Sequence, residues 1–213
     1  MPTVERRAHF VQYRSQVLEL FARRGFSQVG MRELAASLGL SAGSLYHHYP
    51  SKQDLLFDLI EELFEALNSV VRSVGRKAQK KKEKLPVLIQ AHLALHVQMP
   101  WHFCLAERDL GCLTDEQQQQ VKMLREHYER SVYSMLCTHA DDSDVDAPAI
   151  ARLIAHLLNS TPAWLANSAL DQHARNDLLQ DLLHVAIGKL LEPSHSLGVL
   201  PQRGTSKNIL PAT

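Results

Sequence analysis

The chain is short of most features that mark specialised protein classes. Its three cysteines, Cys104, Cys112 and Cys137, are odd in number and include no C-x-x-C pair, which argues against a disulfide framework or a zinc ribbon. Nine glycines and nine prolines in 213 residues are too few for a collagen-like or proline-rich disordered chain. Aromatics make up only 6%, whereas Leu, Ala and Gln are plentiful, so the composition leans helical. No apolar run nears the roughly 18 residues of a membrane span. The opening MPTVERRAHF turns charged at once, unlike the apolar centre of a secretory signal. A G-x-S-x-G elbow, a P-loop and a glycine-rich dinucleotide turn are all missing. The expectation is a soluble, cytoplasmic, non-enzymatic protein with no cofactor and no membrane partner.

What is present is a large apolar fraction, 45%, enough for a real core. Cations and anions balance at 23 each, but the balance averages two unlike parts. Residues 1–84 are net positive and residues 85–213 net negative, an asymmetry that suggests an anion-binding first part. Half of the N-terminal cations lie in one run, RSVGRKAQKKKEK at 72–84. That run reads first as a solvated helix end and connector, with an auxiliary DNA contact as the alternative. Charge alone does not establish nucleic-acid binding.

Helical periodicity runs through almost the whole chain and no period-two pattern interrupts it, so the fold class is all-α. The first helix is expected over about 5–24, with Phe10, Val17, Leu18 and Phe21 inward and Arg14, Glu19 and Arg23 outward, stopping at Gly25. Short helices follow at about 31–38 and 42–48, separated by Gly39 and capped at Ser41. A long amphipathic helix spans about 51–74, its stripe running Leu55, Leu56, Leu59, Ile60, Leu63, Leu67, Val70 and Val71. Further helices are expected at about 85–98, 101–110, 115–139, 147–169 and 174–191. Residues 192–213 read as a loose tail. Three parts result: a reader at 1–53, a helical sensor at 54–191, and the tail.

Two short helices joined by a glycine turn, with a third helix before them, form a helix-turn-helix pattern. Leu34, Leu40 and Leu45 fill the wedge, and Ala35 and Gly39 are read as allowing close approach. The stretch GFSQVGMRELAASLGLSAGSLYHHYPSKQDLL at 25–56 resembles the N-terminal domain of the TetR family of bacterial regulators. It does so through Gly39, Ser41, Gly43, Leu45-Tyr46, Tyr49 and Lys52 at their spacings. The resemblance implies that the helix at 41–49 enters the major groove of operator DNA. By the same resemblance Tyr46 and Lys52 grip phosphates, Arg32 and Ser41 make backbone contacts, Ser44, His47 and Gly43 face bases, and Leu45 and Tyr49 are core. His48 reads either as a DNA contact or as a solvated helix end. Two departures stand out: Gly30 replaces the usual capping Ser or Thr, and Ala42 stands where a polar residue often touches phosphate.

The resemblance also implies a sensor gated by a small hydrophobic effector. Met99, Trp101, His102 and Phe103 form an apolar cluster with polar tips, while Arg108, Leu124 and Tyr128 lie on neighbouring segments. Pro162 should bend its helix, and Asn159 and Trp164 beside it line either a cavity or an interface. The segment from Gln98 to Leu136 is similar to sensors that respond to acyl-CoA thioesters. The last two helices are expected to form a four-helix homodimer interface through Leu153, Leu157, Leu179, Leu183, Ile187 and Leu190. The dimer would read a pseudo-palindrome. Alternatives are a ligand-gated activator and a thiol switch on Cys104 or Cys112. His92 and His96 at i, i+4 invite a metal reading with His102, but the H-E-x-x-H glutamate is absent.

Overall fold

The computed structural model describes residues 2–78, 80–137, 146–165 and 168–192, with side chains from Tyr13 onward. Among the described residues there are nine α-helices and no strands: α1 (Pro2–Arg24), α2 (Met31–Ser37), α3 (Ala42–His48), α4 (Lys52–Lys77), α5 (Lys81–Gln98), α6 (Pro100–Arg108), α7 (Asp115–Leu136), α8 (Ala147–Trp164) and α9 (Gln172–Leu190). Every expected helix exists. Phe10 and the 193–213 tail lie outside the described side chains and residues. Among the described helices, none is long and apolar enough to cross a membrane.

The turns follow from local chemistry. Gly25 ends α1 at φ +88 and Gly39 ends α2 at φ +68, a region that costs a residue with a Cβ roughly 1–2 kcal/mol. A Cβ at Gly39 would meet nothing within 4 Å, so this glycine serves conformation rather than close helix approach. Ser41 caps α3 by accepting from the Ser44 N–H at 3.0 Å. Ser51 and Asp54 form a reciprocal capping box at the start of α4, as do Thr114 and Gln117 at α7. Gln117 also donates to Asp54 Oδ1 at 3.0 Å, so the first glutamine of the Gln117–Gln120 run joins two helix starts. The basic run is split: Arg76 and Lys77 end α4, and Lys81 begins α5.

One hydrophobic cluster runs without a break from Val17 to Ile187. Its spine is the stripe of α4, where Leu55, Leu56, Leu59 and Ile60 are fully buried. α4 packs on α5, α6 and α7, and α8 packs on α7 and α9. Arg14, read from sequence as outward, is buried instead. Its Nε and Nη2 both donate to Glu62 Oε2 on α4, which neutralises the charge and lets its aliphatic stem join the packing. Pro162 sits near the end of α8, which continues for two residues to Trp164.

Gly30 caps α2 with no side-chain hydrogen bond, and a Cβ there meets nothing within 4 Å. Gly30→Ser is therefore expected to stabilise the chain by about 0.5–1 kcal/mol, through the added cap and a less flexible unfolded chain. Gly39→Ala should destabilise it by about 1–2 kcal/mol. Urea unfolding of the two variants checks the opposite signs.

Candidate functional site

The reading unit is built by burying one side of α3 and exposing the other. Leu45 and Tyr49 are buried, and the Tyr49 hydroxyl donates to Asp58 Oδ2 at 3.0 Å. That bond ties the end of α3 to the second turn of α4. On the opposite side Ser41, Gly43, Tyr46 and His47 are exposed, with Ala42, Ser44 and His48 half-buried and Arg32 exposed on α2. The His47 and His48 rings meet edge to face, centroids 5.7 Å apart. Lys52 departs from the expected pattern. Its ammonium donates to the carbonyls of Phe26 and Val29 at 2.7 and 2.8 Å and lies 4.2 Å from the centre of the Phe26 ring. It closes the turn between α1 and α2, with two of its three protons held inside the unit.

Two cavities of about 620 and 720 Å³ lie between the helices of the larger part. They share Phe103, Glu107 and Asn159. The first carries charges of both signs, including Lys122, Arg125, Glu129 and Arg152. Glu129 is buried, which raises its pKa, although Arg152 opposes the shift from 3.9 Å. The second is walled by Trp101, Phe103, Cys104, Arg108, Pro162 and Leu179 among others. Of the expected effector contacts, Trp101, Phe103, Arg108 and Asn159 are brought together there. The other five are not on these walls. Tyr128 is buried in the core, its hydroxyl 3.5 Å from His92 Nδ1, and Met99, Leu124 and the exposed Trp164 lie elsewhere. His102 is buried too, but it turns to Glu62 Oε2 at 3.3 Å.

Helix α6 has one side on the cavities and the other on α1. The Arg108 guanidinium donates to the carbonyls of Phe21 and Ala22 at 2.8 and 2.9 Å and to Asp109 Oδ2 at 2.8 Å. The Asp109 carboxylate raises its pKa further. A cation thus sits at the C-terminal end of α1, where the helix dipole favours it, sharing the Phe21 carbonyl with the Gly25 N–H. On α4, Glu62 receives Arg14 of α1 and His102 of α6. Burial alone would raise the Glu62 pKa, but the hydrogen bond from His102 and the charge of Arg14 hold it down at about 2. These contacts join residues 40 to 87 positions apart, beyond the reach of a periodicity argument.

The dimer assignment needs correction. Leu179, Leu183 and Ile187 are buried within their own protomer, because this face of α9 packs on α5 and α8. The exposed apolar row of α9 is Leu178, Leu182 and Val185, and Leu153 of α8 is also exposed. Leu157 and Leu190 are half-buried against the core. The sequence carries leucines on both faces of α9, so it could not say which row faces inward. All three cysteines are free thiols. Among the described residues no three His, Cys, Asp or Glu side chains gather as a metal site.

Residues 17–59 match the profile of the bacterial regulatory proteins of the tetR family, and residues 78–168 match that of the tetracyclin repressor-like C-terminal domain. The chain belongs to the TetR family. It is a transcriptional regulator of that family, whose members bind operator DNA and small-molecule effectors, typically as dimers. The HTH-type transcriptional repressor KstR2 of Mycobacterium tuberculosis is 40% identical over 50 residues, 22% of this chain and 25% of that protein. The chain thus matches about a quarter of the length of these curated relatives. Three solved structures share the fold over most of their length. A tetR-family regulatory protein from Rhodococcus RHA1 has TM-score 0.73 and 20% identity, covering 85% of this chain and 95% of that one. The ketosteroid transcriptional regulator KstR2 of Mycobacterium tuberculosis has TM-score 0.66 and 19% identity, covering 84% and 95%. AibR, solved with isovaleryl coenzyme A and operator DNA, has TM-score 0.65 and 16% identity, covering 83% and 96%. Identities this low establish a common fold and nothing finer.

This TetR-family core carries a titratable load. Burial, with the neighbouring His96, lowers the His92 pKa to about 3, and burial lowers that of His96 to about 4. Between those values and the ordinary histidine pKa of about 6.5, the unfolded chain binds protons that the folded chain refuses, so stability falls as pH falls. Each histidine contributes up to about 1.4 kcal/mol per pH unit. Urea unfolding should show stability dropping steeply from pH 6.5 to 4.5, and His92→Leu/His96→Leu should flatten that slope. A wild-type stability independent of pH over this range would contradict the burial of the pair as neutral rings.

Proposed function

We propose that the chain is a homodimeric repressor that leaves a pseudo-palindromic operator when a hydrophobic small molecule fills the cavity walled by Trp101, Phe103 and Asn159. The reading divides the protein into a DNA reader at 1–53, a sensor and dimerisation part at 54–191 and a tail at 192–213, acting in the cytoplasm. The observation that carries it is the side of α3 left exposed by the burial of Leu45 and Tyr49. Small and hydroxylic residues at its start, Ser41, Ala42, Gly43 and Ser44, let the helix approach base edges closely. Tyr46 and Arg32 serve phosphates, His47 a base edge, and His48 the neighbouring backbone. Lys52 acts from inside, by holding the turn that aims α2.

Effector binding is proposed to act through α6 as well as α4. A ligand moves an equilibrium only by binding one state better, and a ligand against Trp101 and Phe103 favours states in which α6 has shifted. Since Arg108 and His102 of α6 hold α1 and its partner Glu62, such a shift moves the reader. The isovaleryl coenzyme A bound by AibR makes acyl-CoA thioesters the first effectors to try. Cys104, on the same cavity wall, keeps a thiol switch as the second reading, separated by the response of DNA binding to alkylation.

Fluorescence anisotropy on the upstream intergenic DNA, against scrambled DNA at fixed salt, tests the reading. Specific binding released by one chain-length class of thioester supports it. Equal affinity for scrambled DNA counts against the reader, and binding that no thioester disturbs removes that effector class. His47→Ala should weaken specific binding by about 1–3 kcal/mol and leave non-specific binding alone. Arg32→Ala should weaken both and reduce the salt slope by about one.

The proposed dimer face is the exposed row Leu178, Leu182 and Val185 with Leu153. Leu182→Glu is expected to give a folded monomer in sedimentation velocity, whereas Leu183→Glu should unfold the protomer. A Leu182→Glu protein that stays dimeric would move the interface elsewhere.

A further inference from the structure

Against the second cavity lies a layer of polar groups that the fold leaves unanswered. Among the described residues, His92 Nε2, His96 Nε2, Asn159 Oδ1 and Thr161 Oγ1 are all buried with no hydrogen-bond partner. An unanswered buried polar atom costs roughly 1–3 kcal/mol, and four in two adjoining helical turns is too many to be incidental in a core otherwise packed with aliphatic side chains. Pro162 has no N–H to give the Leu158 carbonyl four residues back; that carbonyl and Asn159 lie against the two histidines as weak acceptors, in a geometry too poor to satisfy either Nε2.

The layer is held in place by rings. His96 stacks on Phe103 with centroids 3.5 Å apart and planes 13° from parallel. His92 meets Phe103 edge-on at 5.7 Å, and Tyr128 backs His92 at 6.5 Å. His96, Phe103, Asn159 and Pro162 are the members that also form the cavity wall. Of the cavity's arginines, Arg108 is bound to Asp109 and α1, and Arg175 donates Nη2 to the Leu170 carbonyl at 3.0 Å but keeps a buried Nε without a hydrogen-bond partner.

We infer that the second cavity takes a ligand with an uncharged end, an apolar body ending in a carbonyl or hydroxyl, whose oxygen accepts from His96 Nε2–H and whose hydroxyl proton, in an alcohol, goes to Asn159 Oδ1. The inference rests on the ligand-gated reading above and narrows its ligand class. A neutral imidazole N–H and a primary amide offer a donor and an acceptor without formal charge, which suits a neutral oxygen. A carboxylate there would lie against the Leu158 carbonyl and Asn159 Oδ1. It would gain no countercharge from the imidazoles, which burial keeps neutral near pH 7. A ketone carbonyl belongs to the accepted class, as does the acyl-thioester end of an acyl-CoA whose phosphates stay outside the cavity, and a free fatty acid does not.

Trp164→Phe leaves Trp101, on the cavity wall, as the sole tryptophan. Its emission can be titrated at pH 7.5 with 2-decanone, 1-decanol and decanoate. The ketone and the alcohol should saturate at least tenfold more tightly than decanoate. His96→Leu should cost the ketone and the alcohol about tenfold each and Asn159→Leu the alcohol alone, both leaving decanoate unchanged, with His96→Gln retaining part of the affinity. Decanoate binding as well as the ketone, or no saturable binding by either neutral compound, overturns the inference, and the wild-type ranking decides this even if a variant fails to fold. Ketone binding that leaves operator affinity unchanged would sustain this site and remove the gating. Operator release by other compounds, with the ketone unbound, would do the reverse.

Discussion

The guanidinium of Arg108 is the contact on which the placement of the reading unit depends. Helix α1 ends at Arg24, and the cation bound to two of its closing carbonyls, Phe21 and Ala22, belongs to α6. The same short helix sends His102 to Glu62, the carboxylate that also holds Arg14 of α1. The reader is therefore attached to the sensor twice over, through the continuous α4 and through the charged underside of α6. The upper side of α6, with Trp101, Phe103 and Cys104, is cavity wall. A single nine-residue helix thus faces both the space for an effector and the element that carries the reader. A fit that displaces it cannot leave α1 where it was without breaking charge-assisted hydrogen bonds in a partly buried setting.

Much of this architecture could be read from the chain because it is local. Gly25 and Gly39 end their helices at positive φ, Ser41 caps α3, and the α4 stripe repeats at helical spacing, so these helices were legible, α4 with its inward face as well. The helix-turn-helix was legible for the same reason: its chemistry is contained in about 30 residues. What stayed hidden depends on groups brought together from afar. Arg14 carries no local sign that it will be buried, since only Glu62 makes that burial tolerable. Lys52 looks like a surface cation until Phe26 and Val29 are seen to offer it their carbonyls. The two leucine rows of α9 are equally apolar, and only the packing of α5 and α8 selects Leu179, Leu183 and Ile187 as core.

The effector region was half legible. Trp101, Phe103, Arg108 and Asn159 converge, whereas Tyr128 became part of the ring stack that supports the wall. Pro162 was expected to bend its helix; its larger consequence is that the Leu158 carbonyl, offered no N–H by residue 162, faces two buried histidines. His92 and His96, which suggested a weak metal motif at i, i+4, instead sit side by side as neutral rings. Their pKa values of about 3 and 4 mean that the fold maintains polarity without charge in its centre. Such a core is expensive to keep, and that expense is understandable where a ligand completes it.

The central claim is that the cavity and the DNA reader are coupled through α6, and linkage makes this testable without knowing the effector. If a ligand in the cavity changes DNA affinity, DNA must change the cavity. Trp101 lies on the cavity wall with Arg23 of α1 6.0 Å from its ring, so it reports on that junction. In the Trp164→Phe protein, operator DNA selected from a random pool should shift Trp101 emission with the same midpoint as the anisotropy titration, and Arg108→Ala should abolish the shift while DNA still binds. DNA binding that saturates with Trp101 emission unchanged in the unmodified interface would contradict the account.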